Sequence, residues 1–277
     1  MARQHNLKLQ LRQQTMLLGT WQKTPSSIVT EILTHSALDL ICLDAEHAPF
    51  DRATLDSCIF AAGAGQMPAL VRVQSAESYH ILNALDLGAT GVVIPHVASR
   101  DDAERAAKLA HFGPGGRGYA GSTRFADYTS RSISQNLESG FSNTVVIAQI
   151  EDAEAIDVID AIAEVDNIDC LFVGRADLAV SLGATSITDP IVIEASQTIA
   201  AAAQRHNRAV GMFISDLSEV PSWTNLGVSL FLLESDQTFL LNGAKSLCAR
   251  FGQSCPPVEV GSASSSIDTK AFKKNNS

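Results

Sequence analysis

The sequence predicts a TIM (β/α)8 barrel with an extra helix at each end. Three observations predict it. Short apolar, β-prone runs recur eight times along the chain. Helical patterns, with apolar residues three and four positions apart, separate them. The length of 277 residues suits a fold that usually takes roughly 250. An open doubly wound sheet is the alternative, but eight runs and no distinct second domain favour the barrel. Residues 1–255 are expected to form that single domain, and the Ser-rich, polar tail 256–277 to be disordered.

The segment MARQHNLKLQLRQQ (1–14) reads as a polar helix without an apolar signal-peptide core. The strand candidates are MLLGT (16–20), DLICLD (39–44), PALVRV (68–73) and GVVIPH (91–96), then TVVIAQIE (144–151), DCLFVG (169–174), AVGMFI (209–214) and VSLFLLE (228–234). Most are continuous apolar runs rather than alternations, as in strands buried on both faces. Helices are expected at RATLDSCIFAAGAG, ESYHILNALDLG, DDAERAAKLAHFG, EAIDVIDAIAEV and PIVIEASQTIAAAAQRHN, with a last one over 236–251. Asp101 and Asp102 suit a helix start, and Gly88 and Gly113 suit helix ends. Residues 112–143, rich in Gly, Ser and Arg, break the rhythm and read as one long loop. Its GPGGRG follows a helix rather than a strand, so it is no dinucleotide fingerprint.

A net charge of −10 argues against nucleic-acid binding, which needs clustered Lys and Arg. The five cysteines form no C-x-x-C pair, and Cys42 and Cys170 lie inside apolar runs, a usage that suits a reducing compartment. No apolar run is long enough to span a bilayer. These observations lead us to expect a cytoplasmic protein that acts on small molecules.

In a TIM barrel the active site lies at the C-terminal ends of the strands. Here those ends carry Trp21 and Gln22; Asp44, Glu46 and His47; Arg72; Pro95 and His96; Gln149 and Glu151; Gly174 to Asp177; Ser215 and Asp216; and Glu234. Singly, each has a structural explanation. Asp177 could cap a helix, Arg72 could be a solvated rim charge, and His47 could be a hydrogen-bonded structural histidine. Those explanations do not require a common face.

Their chemistry converges on one reaction type. Glu151 and Asp177 end consecutive strands, which lie about 4.8 Å apart, so the two carboxylates can share one ion. An oxygen-rich site without cysteine, and with histidine absent or marginal, prefers Mg²⁺ or Mn²⁺, with Co²⁺ a third candidate. Such an ion can hold a 2-oxo acid and stabilise its enolate. Arg72 can place its fork on developing oxyanion charge. His47 can serve as acid or base, oriented by Asp44 or Asp86. Backbone amides at Ala176 and Asp177 open a helix and can bind a substrate carboxylate. Trp21 completes the candidate substrate contacts.

GTW (19–21), LDAEHAPFD (43–51), VRV (71–73), LDLGATGVVIPHV (85–97), RGYAG (117–121), QIE (149–151) and VGRADLAVSLG (173–183) together resemble the HpcH/HpaI aldolase family. The resemblance implies a metal-dependent class II aldolase acting on 4-hydroxy-2-oxo acids or 2-keto-3-deoxy sugar acids, with pyruvate and an aldehyde as products. It implies that Glu151 and Asp177 bind the metal, Gln149 contacts its ligands, and Arg72 holds the oxo or enolate oxygen. His47 becomes the acid/base, with Asp44 its partner and Asp86 a supporting carboxylate. Glu46 matches without an evident role. The resemblance also implies a homo-oligomer, a hexamer built as a trimer of dimers.

One departure stands out. The family pattern Gly-Pro-x-Asp-Leu is replaced by Gly174-Arg175-Ala176-Asp177-Leu178. The Arg175 side chain is expected either in solvent, as a tolerated loop substitution, or at the site, in contact with an acidic substrate or changing donor specificity. Two other functions remain open: a CoA-ester lyase of the citryl or malyl type, and a barrel that binds a 2-oxo acid without turnover.

Overall fold

Each of the eight apolar runs becomes a strand, and each strand pairs in parallel with its neighbours in sequence order until β8 closes on β1. The structure, a computed structural model, describes residues 6–254. The tail 256–277, read above as disordered, lies outside the described residues.

Helix α1 (Leu7–Arg12) precedes β1 (Leu17–Gln22), α2 (Ser27–Thr34), β2 (Leu40–Asp44), α3 (Arg52–Ala64), β3 (Ala69–Arg72), α4 (Ser78–Asp86), β4 (Gly91–Ile94) and α5 (Arg100–Ala110). The second half runs through α6 (Ile133–Asn143), β5 (Val145–Ile150), α7 (Glu154–Asp157), α8 (Ile159–Glu164), β6 (Cys170–Val173), α9 (Arg175–Ser181) and α10 (Pro190–Arg205). It ends with β7 (Ala209–Ile214), a 3-10 turn (Leu217–Glu219), α11 (Val220–Asn225), β8 (Val228–Ser235) and α12 (Asp236–Ser254). The chain divides into two units at Phe239: the first holds the whole barrel, and the second begins at Leu240 with the remainder of α12. No helix among the described residues is long and apolar enough to cross a membrane.

The strands sort their side chains by parity. Leu40, Cys42, Leu70, Val93, Ile147, Phe172 and Leu230 fill the barrel interior, and Leu7 and Leu11 of α1 join that cluster. The alternate residues, such as Ile41, Leu43, Val71, Val92 and Leu171, pack outward against the helices. Each fully buried Leu or Ile stabilises the fold by about 1.5–3 kcal/mol. Lys8 of α1 is also buried, its Nζ donating to the Thr144 carbonyl (2.8 Å) and to Asp169 Oδ2 (2.8 Å).

Three local expectations are corrected. Residues 133–143 are helical, although they were read as part of one loop; a capping box between Ser132 and Gln135 starts α6 despite its unfavourable Gly and Ser. The single helix expected over 154–165 is two short ones, interrupted at Val158 (φ −118°, ψ 15°). Helix α5 carries Asp101 and Asp102 in its first turn as expected, behind the cap Ser99, but it ends at Ala110, short of Gly113. Gly88, by contrast, does terminate α4 with a positive φ of 93°.

Candidate active site

The inward-facing rows that fill the barrel continue past the strand ends as charged and polar residues. On β2 the row Leu40, Cys42 leads to Asp44 and then Glu46; on β3 it leads to Arg72; on β5 it leads to Gln149 and Glu151. On β1 the row Leu17, Gly19, Trp21 leads to Lys23. Trp21, Lys23, His47, Arg72, Gln149 and Asp177 all line one cavity of about 550 Å³ at this end. A larger cavity of about 640 Å³ lies beside α5, against Lys108, His111 and Asn167. Its lining includes the half-buried His111 but no buried guanidinium like Arg72, so chemistry rather than size selects the smaller one.

Asp44 and Arg72 are register partners on β2 and β3. Arg72 Nε donates to Asp44 Oδ1 at 3.0 Å, and Arg72 Nη2 lies 2.8 Å from Asp44 Oδ2. Burial opposes the charged form of both, but the pair outweighs it: the Asp44 carboxyl is held below its ordinary range and the Arg72 guanidinium above. The guanidinium also sits 4.3 Å from the Trp21 ring centroid, and Trp21 packs edge-on against Phe172. Lys23 Nζ approaches Asp44 Oδ2 at 3.3 Å. Its backbone N–H is held by Asp236 Oδ1 at 2.7 Å.

Beside this pair, Glu46, His96 and Glu151 form a compact group whose ligand atoms lie within 4.8 Å of one another. Burial pushes the Glu46 carboxyl up, against the pull of Arg72 and with the charge of Glu151 adding to the push. His96 has a positive φ of 54°, and its backbone N–H donates to Glu151 Oε1 at 2.9 Å. Gln149 Nε2 donates to Glu151 Oε2, leaving Gln149 Oε1 buried without a partner. A Cβ at Gly174 would lie 2.7 Å from Glu151 Oε2 and 2.8 Å from its Cβ, so only glycine leaves room for this carboxylate.

Two buried or half-buried carboxylates and an imidazole, with a Glu46 Oε2 that accepts no hydrogen bond although Arg72 Nε lies 3.3 Å away, suit a divalent cation of the Mg²⁺ or Mn²⁺ kind. The group adds an imidazole to the oxygen-rich set expected. Glu46, which has no evident role in the sequence, is in this group. Asp177 stands apart from it, exposed on the cavity wall in the first turn of α9, where Gly174 is the cap residue.

His47 is exposed at the mouth, its Nε2 3.4 Å from Glu46 Oε2. Asp44 does not orient that ring; its Oδ1 accepts from the His47 backbone N–H at 3.2 Å. Asp86 is not brought to His47 either, and pairs instead with Arg117 at 2.6 Å. Arg117 in turn packs against the rings of Phe112 and Phe125, which engages the carboxylate in anchoring the loop that follows α5. Arg175 is not in solvent: its side chain is 4% exposed and its guanidinium is bound to Glu219.

Lys23 and Phe213 line the cavity but carry no mark in the sequence reading. The signal was parity: both continue the inward rows, two positions beyond Trp21 and Gly211.

A family model described as HpcH/HpaI aldolase/citrate lyase matches residues 17–241. A hydroxypyruvate/pyruvate aldolase of Paraburkholderia phytofirmans is 31% identical over 247 residues, covering 86% of this chain and 94% of that protein. A 5-keto-4-deoxy-D-glucarate aldolase of Shigella boydii is 29% identical over 255 residues, covering 89% and 96%. Among solved structures, an HpcH/HpaI aldolase/citrate lyase family protein from Burkholderia cenocepacia superimposes with a TM-score of 0.84 at 33% identity, covering 90% of this chain and 99% of that one.

Proposed function

Because the chain belongs to the HpcH/HpaI aldolase/citrate lyase family, we propose that it is a divalent-metal-dependent class II aldolase. It cleaves a 4-hydroxy-2-oxo acid or a 2-keto-3-deoxy sugar acid, reversibly, to pyruvate and an aldehyde. The observation that carries this reading is the buried Asp44–Arg72 pair at the barrel mouth, set beside the Glu46–His96–Glu151 group. The aldolase activities named for the relatives support the reaction class.

Glu151 and Asp177 would hold Mg²⁺ or Mn²⁺, with Glu46 and His96 at its side. The bound cation supplies Lewis-acid polarisation of the 2-oxo group. Arg72, immobilised by Asp44, presents fixed positive charge to the oxygen that becomes the enolate, so no reorganisation is needed as charge develops. The Ala176 and Asp177 amides receive the substrate carboxylate. Gln149 braces Glu151, and its free Oε1 is available to a substrate or water proton. His47 accepts the hydroxyl proton at C4; the C3–C4 bond electrons move into the C2–C3 enolate, and the aldehyde leaves. Passing that proton from His47, through solvent water, to C3 yields pyruvate and restores the free base. Trp21 shields the Arg72 face from water, strengthening these interactions.

The free cysteines Cys42, Cys58, Cys170 and Cys248 suit a reducing cytoplasm. Exposed Leu240, Leu247 and Phe251 on α12 support a homo-oligomer, which we read as a hexamer.

Exchange of the pyruvate methyl protons in D₂O, followed by NMR, tests enolisation without knowledge of the aldehyde. Exchange that requires Mg²⁺ or Mn²⁺ and stops with EDTA is the expected result. Absence of exchange with either metal would reject pyruvate as the nucleophile, and turnover of acyl-CoA in its place would assign a CoA-ester lyase.

A further inference from the structure

Arg175 occupies a helix first turn beside the active-site mouth, yet its side chain is buried. Its Nη1 lies 2.5 Å from Glu219 Oε2, and its Nη2 donates to the Phe213 carbonyl at 3.2 Å. Trp223 Nε1 donates to the same Glu219 oxygen at 3.1 Å, and the Trp223 ring centroid is 5.5 Å from the guanidinium carbon. The guanidinium is thus bound to the turn that follows β7 and packed against α11.

Behind it lies a second cavity of about 290 Å³, bounded by Ile193, Trp223 and Leu226 among others. Arg175 and Ile187 line both this cavity and the active-site cavity. On the active-site side they adjoin Phe213 and Ala176.

We propose that Arg175 is a specificity-determining residue: with Ile187 it walls the active-site cavity off from the cavity behind it and so limits the acceptor to a short aldehyde. The inference rests on the aldolase reading. Its basis is steric. Phe213 and Ile187 make this end of the cavity apolar, so an acceptor's tail would point there while its carbonyl stays with His47. The tail stops where the Arg175–Glu219 pair begins, because displacing a buried, doubly bonded guanidinium would strand both charges. Truncating either wall residue joins two spaces whose far walls are also largely apolar.

The test is an aldol-direction series with pyruvate and linear aldehydes from acetaldehyde to octanal, for wild type, Arg175→Ala and Ile187→Ala. Extra methylenes admitted to an apolar pocket are each worth roughly tenfold or more in kcat/KM. The expected result is a sharp fall with length in wild type and a hexanal-to-acetaldehyde ratio at least about tenfold higher in both variants. Ile187→Ala leaves the ion pair intact and decides the matter if Arg175→Ala does not fold. Parallel profiles in the folded variants, with wild-type pyruvate exchange intact, would overturn the inference alone. Absence of metal-dependent exchange in wild type would overturn the aldolase reading and the inference with it.

Discussion

Asp44 and Arg72 are neighbours twice over: they are backbone register partners on β2 and β3, and their side chains meet through two contacts, at 3.0 and 2.8 Å. The strand pairing supplies the alignment, and the planar fork supplies the fit. A lysine carries the same charge but cannot span both carboxylate oxygens. Arg72→Lys is therefore expected to lower kcat/KM by about 10²–10³, the usual loss when an oxyanion donor is removed, while Tm moves little. A variant retaining a third of wild-type activity would remove Arg72 from the reacting centre.

Metal binding is separable from turnover. Glu151→Gln and Asp177→Asn are each expected to weaken Mn²⁺ binding by at least about 100-fold, read by EPR of the free ion, whereas His96→Ala weakens it about tenfold as a supporting group would. A loss in His96→Ala as large as in Glu151→Gln, with Asp177→Asn unaffected, would move the site onto Glu46, His96 and Glu151.

The strands were legible because parallel strands buried on both faces write themselves as apolar runs, and β2, β5 and β7 lie where those runs do. The tips were legible for the same reason: Asp44, Arg72, Gln149 and Glu151 are conspicuous where such runs stop. Helix α6 was not, since its Ser, Gly and Asn residues resemble a loop and its start depends on a capping box. Lys23 lies one residue beyond the Trp21-Gln22 tip, and uncharged Phe213 is marked only by its parity within the AVGMFI run. The Arg175–Glu219 pair joins residues 44 positions apart, and no spacing rule connects them. The Asp86–Arg117 pair was not legible either, because Arg117 lies in the irregular loop.

At the opposite end of the barrel, Lys8 and Asp169 are both buried, and Asp169 Oδ2 also accepts from the Val146 N–H at 3.0 Å. Burial lowers the Lys8 ammonium from its ordinary range, against the pull of Asp169. Removing one partner leaves the other charge stranded. Lys8→Met should cost about 3–5 kcal/mol by urea unfolding, whereas Lys8→Met with Asp169→Asn should recover at least about half of that. Strictly additive losses would mean that the pair is not coupled.

Glu219 links Arg175 to Trp223, and its carboxyl is held below the usual range, chiefly by the Arg175 hydrogen bond and despite partial burial. Its ordinary value is about 4.3. A depressed folded-state pKa means that the unfolded chain binds the proton more readily, so acid favours unfolding. The stabilisation is complete above the ordinary value and is lost as pH falls through the lower, folded-state one. Tm of wild type minus Tm of Glu219→Gln should thus be positive and constant from about pH 7 to pH 5, and should shrink below about pH 4. A difference that is flat across the acid range would show that the Arg175–Glu219 contact stabilises through packing and neutral hydrogen bonds, with the charge contributing nothing.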